Sequence, residues 1–286
     1  MMMINRNLSI FIQVATCGSI TKAAKLLYIT QPAVSNAIAK LEEELGVKLF
    51  FRDKRNGLLL TDVGKKILSL ATQLEDIDNR IYQTAQQEKN LISGQVRIAV
   101  LTSLVSTILS GALKKYRKQY PDIDIEIKEG TPIEIFEIIE NRSADFAISC
   151  SPFGKFHSFL LCHDCMTAMF PPGSKEGQTV QLSNPPDILI INKPAYETLL
   201  EHMTPEKIKF DKMLLVQNAE TAIRMVEDGV GIGIISEYTM ETLAYGVKKY
   251  PVNPNIQFEI GLFANDLNDL TPAAAELVRI IKENFL

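Results

Sequence analysis

Apolar side chains in the first sixty residues recur every three or four positions, which predicts short amphipathic helices. A first helix is expected over 8–15, and Ser19 is expected to cap a short second helix that extends through Leu27. Thr30 precedes a third helix, which carries a proline in its first turn and ends at Gly46. The apolar positions of this third helix are Val34, Ile38, Leu41 and Leu45. A short helix, a tight turn and a second helix with a polar face have the spacing of a helix-turn-helix.

Two short apolar runs follow the third helix. They lie within 48–61 and flank Asn56-Gly57, a dipeptide that favours a two-stranded hairpin. The basic residues beside the predicted turn are Arg52, Lys54 and Arg55. This hairpin is expected to form a wing whose charges can reach phosphates or the adjacent minor groove.

A longer helical pattern begins at Thr61, a suitable N-cap, and continues to about Lys89. Its apolar residues repeat at intervals of four and three, at Val63, Ile67, Leu70, Leu74, Ile77 and Ile81. This heptad seam predicts a coiled pair between two subunits. Packing of the helix against its own domain is the alternative. The segment 89–95 contains Ser-Gly and is expected to be a hinge.

From residue 96 the pattern changes to an alternation of strands and helices. Strands are predicted over 96–101, 123–128 and 145–149, with intervening helices from Ser103 to Tyr120 and from Thr131 to Arg142. This order predicts a parallel α/β sheet with right-handed crossovers.

A second α/β unit is predicted from about residue 166. Its expected elements are strands over 187–191, 214–217 and 231–236 and helices over 196–202 and 218–228, before a closing helix over 272–285. The sequence therefore predicts lobe I over about 96–165 and 266–286, and lobe II over about 166–265. A cleft between two such lobes is the expected small-molecule site.

The charge distribution favours nucleic-acid binding by the first part of the chain. The net charge is −4, but residues 1–60 carry eight Lys/Arg and four Asp/Glu, which gives +4. No apolar run reaches the roughly 18 residues of a membrane span, and the N-terminus lacks the pattern of a signal peptide, so a cytoplasmic protein is expected. Four cysteines are too few and too scattered for a disulfide framework.

A specific resemblance begins at Phe11. The run F-x-x-V-A-T-C-G-S-I-T-K-A-A-K-L-L-Y-I-T-Q-P-A-V-S-N-A-I-A-K-L-E-E-E-L-G-V-K-L-F-x-R continues without a gap to Arg52, and L-T-D-V-G follows at 60–64. This run resembles the DNA-binding head of LysR-type transcriptional regulators. The resemblance implies three parts: a winged helix-turn-helix head at 1–60, a linker and dimerisation helix at 61–90, and an effector domain at 91–286. That domain resembles periplasmic solute-binding proteins.

The resemblance also implies the partners of the chain. These are a pseudo-palindromic site on double-stranded DNA, a small-molecule effector, a second copy of the chain in a dimer or a dimer of dimers, and RNA polymerase. No membrane partner, catalytic residue, metal or cofactor is expected. Two alternatives stay open, namely a solute-binding protein that uses only the two-lobed part and an architectural DNA binder with a vestigial cleft.

The expected DNA-binding residues lie on the second and third helices and on the wing. They are Ser19, Thr21, Thr30, Gln31, Pro32, Ser35, Asn36, Lys40, Arg52, Lys54 and Arg55. The resemblance implies that Gln31, Pro32 and Ser35 lie at the groove and that Arg52 contacts the DNA backbone. Many family members have Arg-Gln after the serine, where this chain has Asn36-Ala37, and Asn36 is able to pair bidentately with adenine.

The expected effector-binding residues are Thr102, Ser103, Thr131, Asn192 and Asn218. Thr102, Ser103, Thr131 and Asn218 lie where helices begin at strand ends, and the free amides of such helix ends favour a small anion. The resemblance implies that Ser103 and Thr131 line the effector cleft and that the strand end near Asn192 lies opposite them. Each residue is alternatively only a helix cap. The segment 192–196 departs from the Gly/Ser-rich loop that is frequent in the family at this place.

Cys162 and Cys165 have C-x-x-C spacing, which is compatible with zinc or redox sensing as well as with structural cysteines. A second matched pair of ligands is absent from the sequence, and structural cysteines are therefore the favoured interpretation.

Overall fold

The computed structural model describes residues 5–53, 57–87, 94–174, 179–203, 212–243 and 248–285. The chain divides near Leu91 into two compact units. The first unit contains the elements α1 Arg6–Cys17, α2 Ile20–Leu26, α3 Gln31–Leu45, β1 Phe50–Asp53, β2 Gly57–Leu60 and α4 Asp62–Gln87.

The second and third helices of the head begin and end where the sequence predicts, whereas α1 is longer than the predicted 8–15. The Ser19 side chain accepts a hydrogen bond from Lys22 N, and the Thr30 side chain accepts one from Ala33 N, each at 3.4 Å. Gly46 ends α3 in the left-handed region at φ 68°, where a residue without Cβ is favoured. Phe11 and Val34 are fully buried between the helices, so α1 and α3 share one core. Leu45, which was expected on the apolar face of α3, is exposed.

The predicted wing is an antiparallel hairpin. Phe50 pairs with Leu60 and Asp53 with Gly57. Lys54, Arg55 and Asn56 lie outside the described residues, and Arg52 is described only by its backbone position in β1.

The long helix α4 begins after Thr61, whose hydroxyl accepts a hydrogen bond from Gly64 N at 2.9 Å. The same hydroxyl donates to Lys48 O at 2.7 Å, which ties the start of α4 to the base of the wing. Thr61 is therefore the N-cap that the sequence predicts.

The second unit is an α/β domain. Its helices are α5 Thr102–Leu104, α6 Ser110–Gln119, α7 Pro132–Glu140, α8 Lys193–His202, α9 Ala219–Glu227, α10 Glu237–Leu243 and α11 Pro272–Lys282, and a π-helical segment, Val105–Leu109, joins α5 to α6. Its strands are β3 Gly94–Leu101, β4 Ile123–Gly130, β5 Phe146–Cys150, β6 His157–Met169, β7 Val180–Gln181, β8 Leu189–Asn192, β9 Met213–Val216, β10 Ile232–Ser236, β11 Lys249–Asn253 and β12 Gln257–Ala264.

The strand order is β4-β3-β5-β12-β6-β10-β8-β9, and β11 also pairs with β6. As predicted, β3 runs parallel to β4 and to β5. The closing helix α11 returns to the first lobe, where Ala273 O accepts a hydrogen bond from the buried Tyr116 hydroxyl at 2.8 Å. Apart from Arg97 and Ser149, the buried residues of β3 and β5 are apolar, as expected for a sheet covered on both sides. Arg97 is paired with Asp145 at 3.0 Å.

One long strand, β6, connects the two lobes. Its first part pairs with β12 and its last residues pair with β10 and β11. Since β12 pairs antiparallel with β5, residues 257–264 belong to the sheet of lobe I. The predicted boundary, which assigned these residues to lobe II, was wrong because β12 was not recognised as a strand.

The first helical segment of lobe I also differs from the prediction. Leu101 occupies the N-cap position and makes no side-chain cap, so neither Thr102 nor Ser103 caps the helix. The Thr102 hydroxyl instead donates to Gly130 O at 3.4 Å and joins the carboxyl ends of β3 and β4.

None of the helices in the described parts of the chain is long and apolar enough to cross a membrane.

Candidate functional sites

The first candidate site is the outer face of α3. Gln31, Pro32, Asn36 and Lys40 are exposed, and Ser35 is half-buried. They share a face because Val34, Ile38 and Leu41 turn the opposite face into the core. Amide, hydroxyl and ammonium groups at the start of a helix match the donors and acceptors on base edges.

Three more residues of the head were predicted to contact DNA, namely Ser19, Thr21 and Thr30. Thr21 is exposed at the start of α2, whereas the hydroxyls of Ser19 and Thr30 are engaged as helix caps. A hydroxyl that accepts a backbone N–H as a cap can still donate its own O–H to a phosphate oxygen. The contacts of Ser19 and Thr30 with DNA therefore stay predictions.

Sequence reasoning missed Glu42, which fastens α3 to the wing. Its buried carboxylate accepts hydrogen bonds from Lys48 Nζ at 2.5 Å, Leu49 N at 2.8 Å and Phe50 N at 3.3 Å. Burial alone would raise the pKa of Glu42, but these donors outweigh burial and hold its pKa below the ordinary value. The only available signal was its place in the acidic run 42–44, which does not identify the buried member.

The second candidate site is the seam of α4. Val63, Leu70, Leu74, Ile77 and Ile81 are exposed, and they form the predicted heptad stripe. Ile67 differs from them because it packs against the core of the head. An exposed apolar stripe at heptad spacing is suited to a second copy of the same helix.

The third candidate site is the cleft between the lobes. The carboxyl ends of β3, β4 and β8 carry three of the predicted effector residues, Ser103, Thr131 and Asn192, all of which are buried. The Thr131 hydroxyl and the Asn192 Oδ1 atom have no hydrogen-bond partner among the described residues. A buried polar atom without a partner costs about 1–3 kcal/mol, so a ligand or water that supplies the missing bond is favoured.

The cavity in this cleft is small. It has a volume of about 20 Å³, which is room for one water molecule, and Ser103, Asn192 and Thr198 are among its lining residues. A metabolite therefore requires the lobes to move apart. Three of the predicted effector residues, Thr102, Thr131 and Asn218, are not among the residues that line this cavity. The Asn218 side chain accepts a hydrogen bond from Thr221 N at 2.9 Å as the cap of α9.

Asp164 on β6 supplies the charge at the inner end of the cavity. Its carboxylate accepts hydrogen bonds from Ser236 Oγ at 2.5 Å, Cys165 N at 2.8 Å and Tyr238 N at 3.0 Å. Burial raises the pKa of Asp164, and these hydrogen bonds oppose that effect. No Lys, Arg or His occurs among the described residues that line the cavity.

A larger cavity of about 300 Å³ lies on the other side of α8, between α7 and the segment after β5. Its lining includes the carboxylates Glu137, Glu140, Glu197 and Glu201 and, in the described residues, no basic side chain. Ile133, in the first turn of α7, also lines the groove, and its amide is bound by Glu197. These carboxylates oppose the binding of a free anion as long as Glu197 occupies that amide.

The two cysteines with C-x-x-C spacing are half-buried on β6. Burial raises the pKa of both Cys162 and Cys165 to about 11, and the carboxylate of Glu237 adds to the effect at Cys165. A thiol that stays protonated at neutral pH is a poor nucleophile. This environment favours the structural interpretation of both residues.

Comparisons with known proteins agree with this arrangement. Residues 5–65 match the family model described as "Bacterial regulatory helix-turn-helix protein, lysR family", and residues 89–286 match the "LysR substrate binding domain". The uncharacterized HTH-type transcriptional regulator YoaU of Bacillus subtilis strain 168 is 41% identical over 98% of this chain and 99% of its own length.

Solved structures show the same fold. A full-length variant of OxyR from Pseudomonas aeruginosa has a TM-score of 0.69 at 17% identity and covers 98% of this chain and 93% of its own. Full-length CbnR in complex with its target DNA has a TM-score of 0.61 at 17% identity and covers 97% of this chain and 98% of its own. With both family models matched across nearly the whole length, the chain belongs to the LysR family of transcriptional regulators and contains its helix-turn-helix and its effector-binding domain.

Proposed function

We propose that this LysR-family regulator reads an inverted-repeat DNA site with the exposed face of α3. The observation that carries the proposal is the polar surface of Gln31, Asn36 and Lys40, which a buried apolar face presents outward. The wing residues Arg52, Lys54 and Arg55 contribute phosphate contacts, and Asn36 reads adenine. Ser19, Thr21, Thr30, Pro32 and Ser35 complete the proposed contact surface.

The proposed active form is a dimer through α4. The exposed apolar stripe from Val63 to Ile81 supports the coiled pair, and two-fold symmetry places two recognition helices on two half-sites. A dimer of dimers through the effector domains and a contact with RNA polymerase are further parts of the proposal, supported by family membership. CbnR, a similar structure, has been solved with its target DNA.

We propose that the cleft takes a small carboxylate with hydrogen-bond donors at its other end. Lys193 and the first turns of α7 and α8 favour an anion at the entrance of the cleft. Asp164 and the unpartnered Asn192 Oδ1 favour donors at the inner end. Ser103 and Thr131 remain proposed effector contacts. Thr102 is proposed to hold the ends of β3 and β4 together, and Asn218 to cap α9 without contacting the effector.

Effector binding is proposed to shift the population of lobe arrangements and thereby the affinity for DNA. Catalysis has no part in this function, as the similar proteins are transcriptional regulators. The match of residues 5–65 to a helix-turn-helix family disfavours a protein that only binds solutes. The two buried polar atoms without partners in the cleft disfavour an architectural DNA binder whose cleft is vestigial.

Thermal unfolding of the full-length protein in the presence of small carboxylates tests the cleft. A ligand that binds only the native state raises the midpoint, by an amount equivalent to about 2.7 kcal/mol at one hundred times Kd. Thr131→Val and Asn192→Leu are expected to abolish the shift, while Thr221→Val on the exposed surface of α9 is the control. Equal shifts in all three variants would show that the ligand binds elsewhere.

A further inference from the structure

Glu197 on α8 places a carboxylate at the N-terminus of α7, in the opposite lobe. Its Oε2 atom accepts a hydrogen bond from Ile133 N at 3.3 Å, and only 9% of the residue is exposed. Ile133 is the second residue of α7, whose amide has no partner within the helix. A buried carboxylate on a helix N-terminus is an occupied anion site.

A second contact joins the same two helices. Glu134 on α7 accepts hydrogen bonds from Thr131 N at 2.9 Å and from Lys193 Nζ, on α8, at 3.0 Å. The amide of Thr131 and the ammonium of Lys193 hold the pKa of Glu134 below its ordinary value, so this carboxylate is ionised at neutral pH. Lys193 is therefore a cation at the entrance of the cleft, and it is paired with the protein itself.

A third contact is made by Thr198, the residue that follows Glu197 on α8. Cys150 Sγ, at the end of β5, is 3.4 Å from Thr198 Oγ1 on α8. The three contacts together hold α8 of lobe II against lobe I. Cys150 and Thr198 line the cavity that has room for one water molecule, whereas Ile133 and Glu197 line the larger groove on the other side of α8.

The N-terminus of α7 is nevertheless incompletely satisfied. Its N-cap residue, Thr131, is only 6% exposed, and the Thr131 hydroxyl has no partner in the described part of the chain. An N-cap hydroxyl ordinarily accepts an amide of the first turn. A ligand with both a carboxylate and a hydrogen-bond donor could bind the first-turn amides of α7 and the Thr131 hydroxyl together, whereas Glu197 binds only one amide.

We infer that Glu197 is a built-in competitor, which occupies the carboxylate position of the effector and latches the cleft closed. This inference rests on the proposed binding of a carboxylate in the cleft. Effector binding exchanges one carboxylate for another at the amides of α7, and Lys193 turns from Glu134 to the ligand. Glu197 then leaves Ile133 N, and α8 separates from lobe I.

The latch is tested first without a ligand, by the rate at which N-ethylmaleimide alkylates Cys150. Cys150 is 3% exposed, lies under α8, and becomes reachable when α8 moves away. The background carries serine at the other three cysteines, 17, 162 and 165. Glu197→Gln is expected to accelerate alkylation about tenfold. Glu201→Gln removes an equal charge one turn further along α8 and is expected to leave the rate unchanged. Unfolding midpoints measured in parallel identify any variant that reacts through global unfolding.

Equal alkylation rates for Glu197→Gln and Glu201→Gln, with equal midpoints, would overturn the latch. Such a result leaves the proposed DNA binding intact, since that is measured separately on a duplex.

The carboxylate exchange is tested by calorimetric titration with succinate and with its uncharged counterpart succinamide. Glu197→Gln is expected to bind succinate at least tenfold more tightly than the wild-type protein or Glu201→Gln, and to gain nothing for succinamide. No succinate binding by Glu197→Gln, or an equal gain for both compounds, would refute the exchange, and the alkylation rates would still decide the latch.

Discussion

Glu42 and Leu49 are joined by a hydrogen bond of 2.8 Å from the backbone N–H of Leu49 to the Glu42 carboxylate. Leu49 is fully buried at the base of the wing, and Glu42 lies in the last turns of the recognition helix α3. This bond fixes the orientation of the wing relative to α3. The two surfaces that are proposed to contact DNA therefore depend on one carboxylate, which lies outside the proposed contact surface.

Replacing Glu42 by alanine is expected to destabilise the head by about 1–3 kcal/mol, because the buried amide of Leu49 loses its acceptor. The affinity for DNA should fall as well, since the wing is no longer fixed. Chemical denaturation and duplex titration measure the two effects. Glu43→Ala, at the neighbouring exposed position, is the control and should match the wild-type protein in both.

The same carboxylate makes head stability dependent on pH. The pKa of Glu42 is lowered in the folded state, so its contribution is present above the unfolded pKa of about 4.3 and is lost as pH falls through the folded value. The difference in unfolding free energy between the wild-type protein and Glu42→Gln is expected to shrink between pH 6 and pH 3. A difference that stays constant over this range would show that Glu42 does not carry the dependence.

Gly64 permits α4 to pass close to the base of the wing. A Cβ at this position would collide with the carbonyl oxygen of Leu49, which is backbone and cannot yield easily. Gly64→Ala is expected to cost about 1–3 kcal/mol, as for overpacking in a core. Gly111→Ala is the control, since a Cβ there meets no atom within 4 Å and replaces glycine in a helix. Alanine favours a helix more than glycine does, so Gly111→Ala is expected to leave the stability unchanged or raise it. A Gly64→Ala variant that is likewise as stable as the wild-type protein or more stable would contradict the close approach.

Gln31 and Asn36 are expected to contribute base contacts. Each change to alanine should weaken binding to the preferred duplex by about 1–3 kcal/mol and leave binding to random duplex nearly unchanged. Fluorescence anisotropy at fixed salt measures both affinities, with Glu44→Ala at the end of α3 as the control. Wild-type affinity for the preferred duplex in both variants would remove these residues from the interface.

Leu74 and Ile77 test the seam better than Ile67, because Ile67 also supports the core of the head. Changing both to lysine is expected to dissociate the α4 pair by placing like charges in an apolar seam. Light scattering of the full chain gives the mass, and Lys66→Glu, exposed off the seam, is the control. A Leu74→Lys, Ile77→Lys variant that retains both the mass and the cooperative duplex binding of the wild-type protein would assign the subunit contact to another surface.

The head was largely predictable because its signals are local. The caps Ser19 and Thr30, the glycine at 46 and the helical pattern of α4 each depend on neighbours within one or two turns, and the structure confirms them. The use of the heptads of α4 as a subunit contact stays a prediction. Glu42 was missed because its partners come from the wing, six to eight residues away, and depend on how the hairpin folds back.

The effector domain was predictable in its parallel half and not in its crossing strands. In residues 157–169 the apolar side chains neither alternate with polar ones nor form a continuous run, so the segment lacks both sequence patterns of a strand. The pattern is irregular because β6 changes its partner strands along its length. The start of α5 was misassigned because Leu101 takes the N-cap position, with a backbone conformation that a sequence does not reveal. Thr131 and Asn192 were predicted from strand ends, whereas the latch of Glu197 depends on the approach of two lobes that are distant in the chain.

Selection of bound duplexes from a random pool by the full-length protein tests whether α3 reads the DNA sequence. We expect enrichment of an inverted repeat whose half-sites are centred about one helical turn or a multiple of it apart, and loss of that enrichment in a Gln31→Ala, Asn36→Ala variant. Recovery of no preferred sequence, or of the same repeat by the variant, would contradict the assignment of α3 as the reading element of this regulator.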